Sequence, residues 1–171
     1  MSLNALLEVD ANLSARLRVA EEPGIPRHAA TFLGHTGDSW FWLAGLFAIW
    51  IFSNSDWRVR SSALITGIVI TAVVVMTLKF SIRRQRPAGQ LGQIYRRTDP
   101  HSFPSGHAAR AMMLAVMAIG LGPAWFGMVL ALWSPIVGLA RVAIGVHFIS
   151  DILAGWLIGG VMGIILLRLL G

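Results

Sequence analysis

The stretch SALITGIVITAVVVMTL, residues 62–78, contains no charged side chain and leads directly into KFSIRRQRP, residues 79–87, which carries four cations. A run of this length approaches the ~20 apolar residues with which a helix crosses the hydrocarbon core of a bilayer. Cations that crowd the end of such a helix are costly to desolvate, and by default they mark a functional site. The stretch therefore predicts a membrane helix that ends at a site for an anionic ligand.

The composition of the whole chain is typical of an integral membrane protein. Among its 171 residues, 56% are hydrophobic and 13% are charged, and the mean hydropathy is +0.68. This length allows one domain of several spanning helices. The formal net charge is +6, and in a membrane chain we expect the anionic partners to be membrane lipids or a phosphorylated lipid, and not nucleic acid. Cysteine is absent from the sequence, which excludes disulfides and thiol chemistry.

Five apolar runs predict an all-α membrane bundle of about five transmembrane helices, at residues 39–53, 62–78, 107–122, 125–140 and 148–170. Several runs are shorter than ~20 residues, so we expect their helices to extend into flanking polar residues. Because the N-terminus lacks the pattern of a cleaved signal peptide, we expect the first span to act as the insertion signal. Glycines and alanines in the last run favour close helix packing.

The N-terminal residues predict an additional, amphipathic helix. Residues 1–22 place apolar side chains at spacings of three and four, with charged and polar side chains between them. Pro23, Gly24 and Pro26 then predict its end. Such a helix either lies in the membrane interface or packs on the bundle, and both alternatives stay open. We divide the single domain into an N-terminal amphipathic segment, residues 1–36, and a transmembrane catalytic bundle, residues 37–171.

An up-and-down arrangement of the five spans brings three polar stretches to one end of the bundle. These are residues 79–87 after the second span, Pro-Ser-Gly-His at 104–107 before the third, and residues 141–151 between the fourth and the fifth. We call this end the cationic end. The opposite end receives Asp56, Arg58, Arg60, the turn at residues 120–125 and Arg168.

The cationic end has the residue types that bind a phosphate group. Lys79, Arg86 and Arg141 can surround a phosphate dianion and stabilise the charge that spreads over its oxygens during transfer. Ser105 and Gly106 open a helix, where free backbone N–H groups bind anions, a glycine permits close approach and a serine adds a hydroxyl donor. No metal or other cofactor is expected, because these cations supply the electrostatic stabilisation.

Two histidines can divide the chemistry of phosphate transfer. His147 and Asp151 are four residues apart at the start of a helix, so the carboxylate can hold one ring nitrogen while the other points at phosphorus. We expect His147 to attack and form a phosphohistidine. His107 then protonates the departing oxygen and activates water for the second step.

These three motifs resemble the signature motifs of the type 2 phosphatidic acid phosphatase superfamily. They are K-x6-R-P at Lys79, Arg86 and Pro87, P-S-G-H at residues 104–107, and R-x5-H-x3-D at Arg141, His147 and Asp151. The resemblance implies a membrane helix bundle with lipid phosphatase activity. It also implies phosphate binding by Lys79, Arg86, Ser105, Gly106 and Arg141, and catalysis by His107 as the acid and His147 as the nucleophile, with Asp151 as its partner.

The resemblance leaves the substrate open. By analogy with small bacterial members, the first expectation is a polyprenyl diphosphate such as undecaprenyl diphosphate, hydrolysed in the bacterial cytoplasmic membrane. Phosphatidylglycerophosphate, phosphatidic acid, lipid A and phosphorylated polyprenyl sugars are alternatives, and so is a lipid phosphotransferase that uses the same residues. Ala140 stands where the third motif usually has serine, so we expect weaker phosphate binding. Many membrane relatives have six spans, whereas five are predicted here.

Other polar residues receive simpler interpretations. We expect Arg83, Arg84, Arg96 and Arg97 to anchor lipid head groups, and their excess over Arg58, Arg60 and Arg168 favours a cytoplasmic cationic end. Several members of the superfamily work on the outer side, so the orientation stays open. We expect His35 to be packed or hydrogen-bonded, and Asp38 and Asp99 to cap helices or orient loops.

Overall fold

The computed structural model describes residues 2–20, 22–88 and 99–170, and these residues form seven helices. In chain order they are α1 (Leu3–Arg16), α2 (Ile25–His35), α3 (Ser39–Phe52), α4 (Ser55–Ile82), α5 (Gly106–Leu121), α6 (Ala124–Ala143) and α7 (Ile149–Leu170). Each of the five predicted apolar runs coincides with one of the helices α3 to α7. Arg96 and Arg97 lie outside the described residues.

Three of the described helices, α4, α6 and α7, are long and apolar enough to cross a membrane, while α3 and α5 are shorter apolar helices. The helix that contains residues 62–78 is much longer than the apolar run itself, because its start is capped outside that run. The side chain of Asn54 accepts a hydrogen bond from the backbone N–H of Trp57 at 3.1 Å. The helix ends at Arg83, which adopts the left-handed conformation. The predicted number of spans stays a prediction.

α5 lies at the centre of the bundle, packed against α4, α6 and α7. Its buried side chains are mostly alanine and methionine, and α7 faces them with glycines. A Cβ atom on Gly159 would overlap the backbone of Ala109, and one on Gly163 would lie 2.8 Å from Cβ of Val116. The two helices can approach this closely only because those side chains are missing. The predicted packing role of these glycines is confirmed.

The N-terminal segment contains two helices where the sequence predicted one. α1 ends at Arg16, and α2 begins after Gly24 with Pro26 in its first turn. The prediction used Pro23, Gly24 and Pro26 only as a stop signal, but proline also fits the first turn of a new helix because it needs no N–H donor there. α2 packs against α6, so part of the N-terminal segment belongs to the bundle.

α1 turns its polar side toward the protein and its apolar side outward. Ser14 is fully buried, whereas Leu6 is 49% exposed and Leu13 is 47% exposed. The hydroxyl of Ser14 accepts a hydrogen bond from the backbone N–H of Ile149 at 2.9 Å. α1 therefore packs on the start of α7, while its leucines form an outward apolar face that is compatible with a position in the membrane interface.

The two ends of the bundle have the predicted composition. At the end opposite the cationic end, Nε of Arg60 donates to the carbonyl oxygen of Leu121 at 3.0 Å. The rings of Trp57 and Phe126 meet there with centroids 5.7 Å apart. The start of α4 and the turn between α5 and α6 thus share one end. Lys79 lies 22 residues after Trp57 on α4, so the cationic end is about 33 Å away at ~1.5 Å per residue.

Candidate active site

The three polar stretches meet at the cationic end, as predicted. The backbone N–H of Ser102 donates to the carbonyl oxygen of Arg84 at 2.8 Å, and that of Ser105 donates to the carbonyl oxygen of Asp151 at 3.0 Å. Arg86 closes the arrangement, because its Nη1 donates to the carbonyl oxygen of Val146 at 2.9 Å. Backbone groups thus fix the relative positions of all three stretches.

His147, in the loop before α7, and Asp151, in the first turn of α7, form a buried pair. His147 is 1% exposed and Asp151 is 0% exposed. Nδ1 of His147 lies 3.3 Å from Oδ2 of Asp151, and the same oxygen accepts a hydrogen bond from the backbone N–H of Phe148 at 2.9 Å. The other ring nitrogen, Nε2, lies 3.3 Å from Nη1 of Arg86. The carboxylate can therefore hold the proton on Nδ1, which leaves the lone pair on Nε2.

The surroundings of His147 keep its imidazole neutral. Burial lowers the pKa of His147 well below its usual range, and the positive charges of Arg86, Arg141 and Lys79 lower this pKa further. Each of these effects disfavours the imidazolium form. A neutral imidazole with an oriented lone pair is the form that can attack phosphorus.

Asp99 joins two of the predicted phosphate-binding cations. Its carboxylate pairs with Nζ of Lys79 and, at 2.8 Å, with Nη2 of Arg86, while its carbonyl oxygen accepts from Nε of Arg86 at 2.7 Å. Burial raises the pKa of Asp99, but the ion pairs with both cations lower it more, so the carboxylate stays charged. The prediction that Asp99 orients a loop did not include this contact with the site.

Arg141 is the third predicted cation, and α2 provides the space for it. The side chain is 1% exposed and interacts electrostatically with both His107 and His147. A Cβ atom on Gly34 of α2 would lie only 3.3 Å from Cδ of Arg141. Lys79 and Arg86 from one polar stretch and Arg141 from another thus act electrostatically on one imidazole, that of His147.

The start of α5 lies beside these cations. Ser105 is the N-cap residue, and its buried hydroxyl accepts from the backbone N–H of Ala108 at 3.4 Å. Among the residues that the structure describes, a Cβ atom on Gly106 would meet Cγ1 of Val75 alone, at 3.5 Å, so packing against these residues does not itself require a glycine here. The predicted contacts of Ser105 and Gly106 with phosphate stay predictions.

His107 has a carboxylate partner that the sequence interpretation missed. Its Nε2 lies 2.7 Å from Oδ1 of Asp38, and the other oxygen of Asp38 lies 2.9 Å from Nδ1 of His35. Asp38 is the N-cap residue of α3 by position, but its side chain makes no capping hydrogen bond. Burial raises the pKa of Asp38, yet the hydrogen bonds from His107 and His35 hold it well below its usual range. Asp38 therefore acts as a charged partner of His107.

Arg84 connects α1 to the histidine–aspartate pair. Its Nη2 lies 2.7 Å from Oδ2 of Asp10, and its Nη1 lies 2.8 Å from Oδ1 of Asp151. Asp10 also accepts a hydrogen bond from the backbone N–H of Ser150 at 3.1 Å, at the start of α7. The expectation that Arg84 is a lipid-anchoring side chain is therefore wrong for the described structure. Its guanidinium instead joins two carboxylates inside the protein.

Comparison with known proteins agrees with this geometry. Residues 60–171 match the family model described as the PAP2 superfamily. The chain belongs to this superfamily. The matched residues include the three motifs at residues 79–87, 104–107 and 141–151. Asp10 and Asp38, which contact the site from the N-terminal segment, lie before the matched residues.

Individual proteins resemble the chain over most of its length. The undecaprenyl-diphosphatase of Sulfolobus acidocaldarius is 30% identical over 75% of the chain, and the alignment spans 63% of that protein. The decaprenylphosphoryl-5-phosphoribose phosphatase of Mycobacterium tuberculosis is 28% identical, with 92% of the chain and 88% of that protein covered. The chain also superposes on the crystal structure of a transmembrane PAP2 type phosphatidylglycerolphosphate phosphatase from Bacillus subtilis, with a TM-score of 0.79 at 22% identity. The superposition covers 97% of this chain and 86% of the Bacillus chain. The last comparison supports the PAP2 fold.

Proposed function

We propose that the chain is an integral membrane lipid phosphatase that works through a phosphohistidine intermediate. The observation that carries the proposal is the environment of His147, which is buried beside three cations and oriented by Asp151. Such an imidazole offers its Nε2 lone pair to a bound phosphate. The cations match the charge of that phosphate, so binding and chemistry can occur at the same point.

The first step transfers the phosphoryl group to the enzyme. Nε2 of His147 attacks phosphorus while the bond from phosphorus to the leaving oxygen breaks, and Lys79, Arg86 and Arg141 stabilise the charge on the remaining oxygens. His107 donates a proton to the leaving oxygen. In the second step, His107 takes a proton from water, whose oxygen attacks phosphorus. The P–N bond then breaks, inorganic phosphate leaves and His147 regains its lone pair.

Asp38 and Asp151 have parallel roles in this scheme. Each carboxylate holds one nitrogen of a histidine, Nε2 of His107 at 2.7 Å and Nδ1 of His147 at 3.3 Å. This arrangement fixes which ring nitrogen of each histidine can face the substrate. The pairing supports separate roles for the two histidines, one as acid and base and the other as nucleophile.

We propose a polyprenyl diphosphate as the substrate class, of the undecaprenyl diphosphate type. The name of the Sulfolobus relative refers to a polyprenyl diphosphate, which supports this choice. The name of the Mycobacterium relative refers to a phosphorylated polyprenyl sugar, which supports a polyprenyl carrier and keeps that alternative open. The lipid chain would lie in the bilayer while its phosphate groups reach the cationic end.

We also propose that α3 to α7 are five spans in a bacterial cytoplasmic membrane and that α1 lies in the interface. The outward leucines of α1, such as Leu6 and Leu13, would contact lipid at the level of the head groups. The polar side of the same helix contacts Arg84 and the start of α7. α1 would therefore lie between the membrane surface and the site.

The proposal is tested by phosphate release from a panel of lipid phosphates by the purified full chain in detergent. Wild type should release phosphate from a polyprenyl diphosphate without an added acceptor, and His147→Ala should abolish release. Asp56→Asn, which removes a carboxylate at the opposite end, serves as the matched control. Acid-labile, base-stable labelling of the wild type by a 32P-labelled substrate should identify the phosphohistidine. Release that requires an acceptor alcohol would assign a phosphotransferase instead, and normal turnover by His147→Ala would refute the mechanism.

A further inference from the structure

Arg110 is a cation of the site region that the proposed mechanism does not use. It lies on α5 three residues after His107 and four after Gly106, so all three side-chain positions share one face of the helix. Arginine inside an apolar helix is costly to desolvate and usually faces a partner or a cavity. Arg110 lies one turn further along α5 than His107, toward the middle of the bundle.

The contacts of Arg110 account for only part of its guanidinium. Nη1 donates to the carbonyl oxygen of Gly37, the residue next to Asp38. Nε is buried and has no hydrogen-bond partner among the residues that the structure describes. The backbone before α3 therefore holds one edge of the guanidinium through Nη1. The buried Nε–H group is still able to donate a hydrogen bond to a ligand.

The cavity beside Arg110 joins it to the phosphate-binding region. This cavity has a volume of about 120 Å³ and lies between α4 and α5. Lys79, Asp99, Gly106, His107 and Arg110 supply its polar part. Its remaining lining comes from α4 at Thr71, Ala72, Val75 and Met76. The cavity thus brings Lys79, one of the three phosphate-binding cations, together with His107 and Arg110 beside a mostly apolar wall of α4.

We propose that Arg110 binds the second phosphate of a lipid diphosphate, the phosphate that carries the lipid chain. This inference rests on the proposed function and adds a subsite to the same cavity. The terminal phosphate would lie with Lys79, Arg86 and Arg141. The second phosphate would contact the guanidinium group of Arg110, and the lipid chain would lie along the apolar side chains of α4. An arginine fork suits this task because it can bind two phosphate oxygens at once.

The subsite has a defined role in bond breaking. As Nε2 of His147 forms a bond to the terminal phosphorus, the bond from that phosphorus to the bridging oxygen breaks. The electron pair stays on the bridging oxygen, which becomes a terminal oxygen of a lipid monophosphate. Arg110 stabilises the negative charge that develops on this oxygen until His107 protonates it. A lipid monophosphate has no second phosphate, so its leaving alkoxide depends on the proton of His107 alone.

The test compares two substrates with the same lipid chain, farnesyl diphosphate and farnesyl monophosphate, in wild type and Arg110→Gln. We expect kcat/KM for the diphosphate to fall roughly 10- to 100-fold, the loss of one charge-assisted contact, and kcat/KM for the monophosphate to stay within about 3-fold. Arg110→Lys keeps the charge without the fork and should give an intermediate loss. Arg168→Gln removes an exposed arginine near the end of α7 and should leave both substrates unchanged.

Equal losses for the two substrates would overturn the inference, because they would mean that Arg110 only supports the backbone at Gly37 and the position of His107. Unchanged kinetics for the diphosphate would overturn it as well. If wild type hydrolyses neither substrate, the proposed function fails, and binding then decides the subsite. A non-hydrolysable methylene-bridged farnesyl diphosphonate should raise the Tm of wild type more than farnesyl monophosphonate does. Loss of that difference in Arg110→Gln would support the subsite, and its persistence would refute it.

Discussion

Replacing Asp38 with asparagine separates the acid function of His107 from phosphate binding. Oδ1 of Asp38 lies 2.7 Å from Nε2 of His107, and asparagine keeps an acceptor of the same size without the charge. A hydrogen bond to a charged group contributes about 1.5–3 kcal/mol. At 1.36 kcal/mol per factor of ten, its loss lowers kcat about 10- to 150-fold for a substrate whose leaving oxygen needs a proton.

The assay uses two leaving groups on the same purified chain. The alkoxide that leaves from farnesyl monophosphate needs a proton, whereas the nitrophenolate that leaves from p-nitrophenyl phosphate is stable as an anion. In single-turnover measurements of the first step, before His107 activates water, Asp38→Asn should therefore show the loss with the first substrate and stay within about 3-fold of wild type with the second. Asp56→Asn, at the opposite end of the bundle, controls for the loss of a carboxylate. Equal losses with both substrates would refute the acid role, since they would mean that Asp38 serves folding or phosphate binding.

Three further outcomes are expected. Gly159→Ala should lower the Tm by several degrees, because its Cβ would overlap the backbone of Ala109, while Gly160→Ala, whose Cβ would meet one atom at 3.9 Å, should not. Burial and neighbouring cations lower the pKa of His147. Removing one of these cations in Arg86→Gln should therefore raise this pKa and move the acid limb of the pH profile of kcat to higher pH. An acid limb at the same pH as in wild type would contradict this. Asp10→Asn should lower kcat several-fold with little change in KM, because it weakens the contact of α1 with α7; a change confined to KM would exclude this positioning role.

The main helices were predictable because the bilayer imposes a simple rule on the sequence. An uncharged run long enough to approach the thickness of the hydrocarbon core becomes a helix, since every backbone group must then be satisfied within the segment. The helix ends were less predictable, because they depend on single side chains. Asn54 caps α4, so this helix begins at Ser55, seven residues before the apolar run starts at residue 62. Pro26, interpreted as a stop signal, lies in the first turn of α2.

The motif residues could be found because their spacing is local or repeats a known pattern. His147 and Asp151 are four residues apart, and a helical turn brings such residues together without any knowledge of the fold. The partners that the sequence interpretation missed lie far away along the chain. Asp38 is 69 residues from His107, and Asp10 is 74 residues from Arg84. No periodic pattern connects residues at such distances.

The sequence by itself determined that this protein is a helical membrane protein with a cationic end, and which side chains there resemble those of a phosphate-transfer site. Hydrophobic runs and turn-spaced motifs carry this information because they act within single helices. Apart from the His147–Asp151 pair, only the tertiary structure decided which carboxylate holds which cation or histidine. Charge pairing depends on separation in space, and here packing brings Asp10, Asp38 and Asp99 to Arg84, His107 and Lys79.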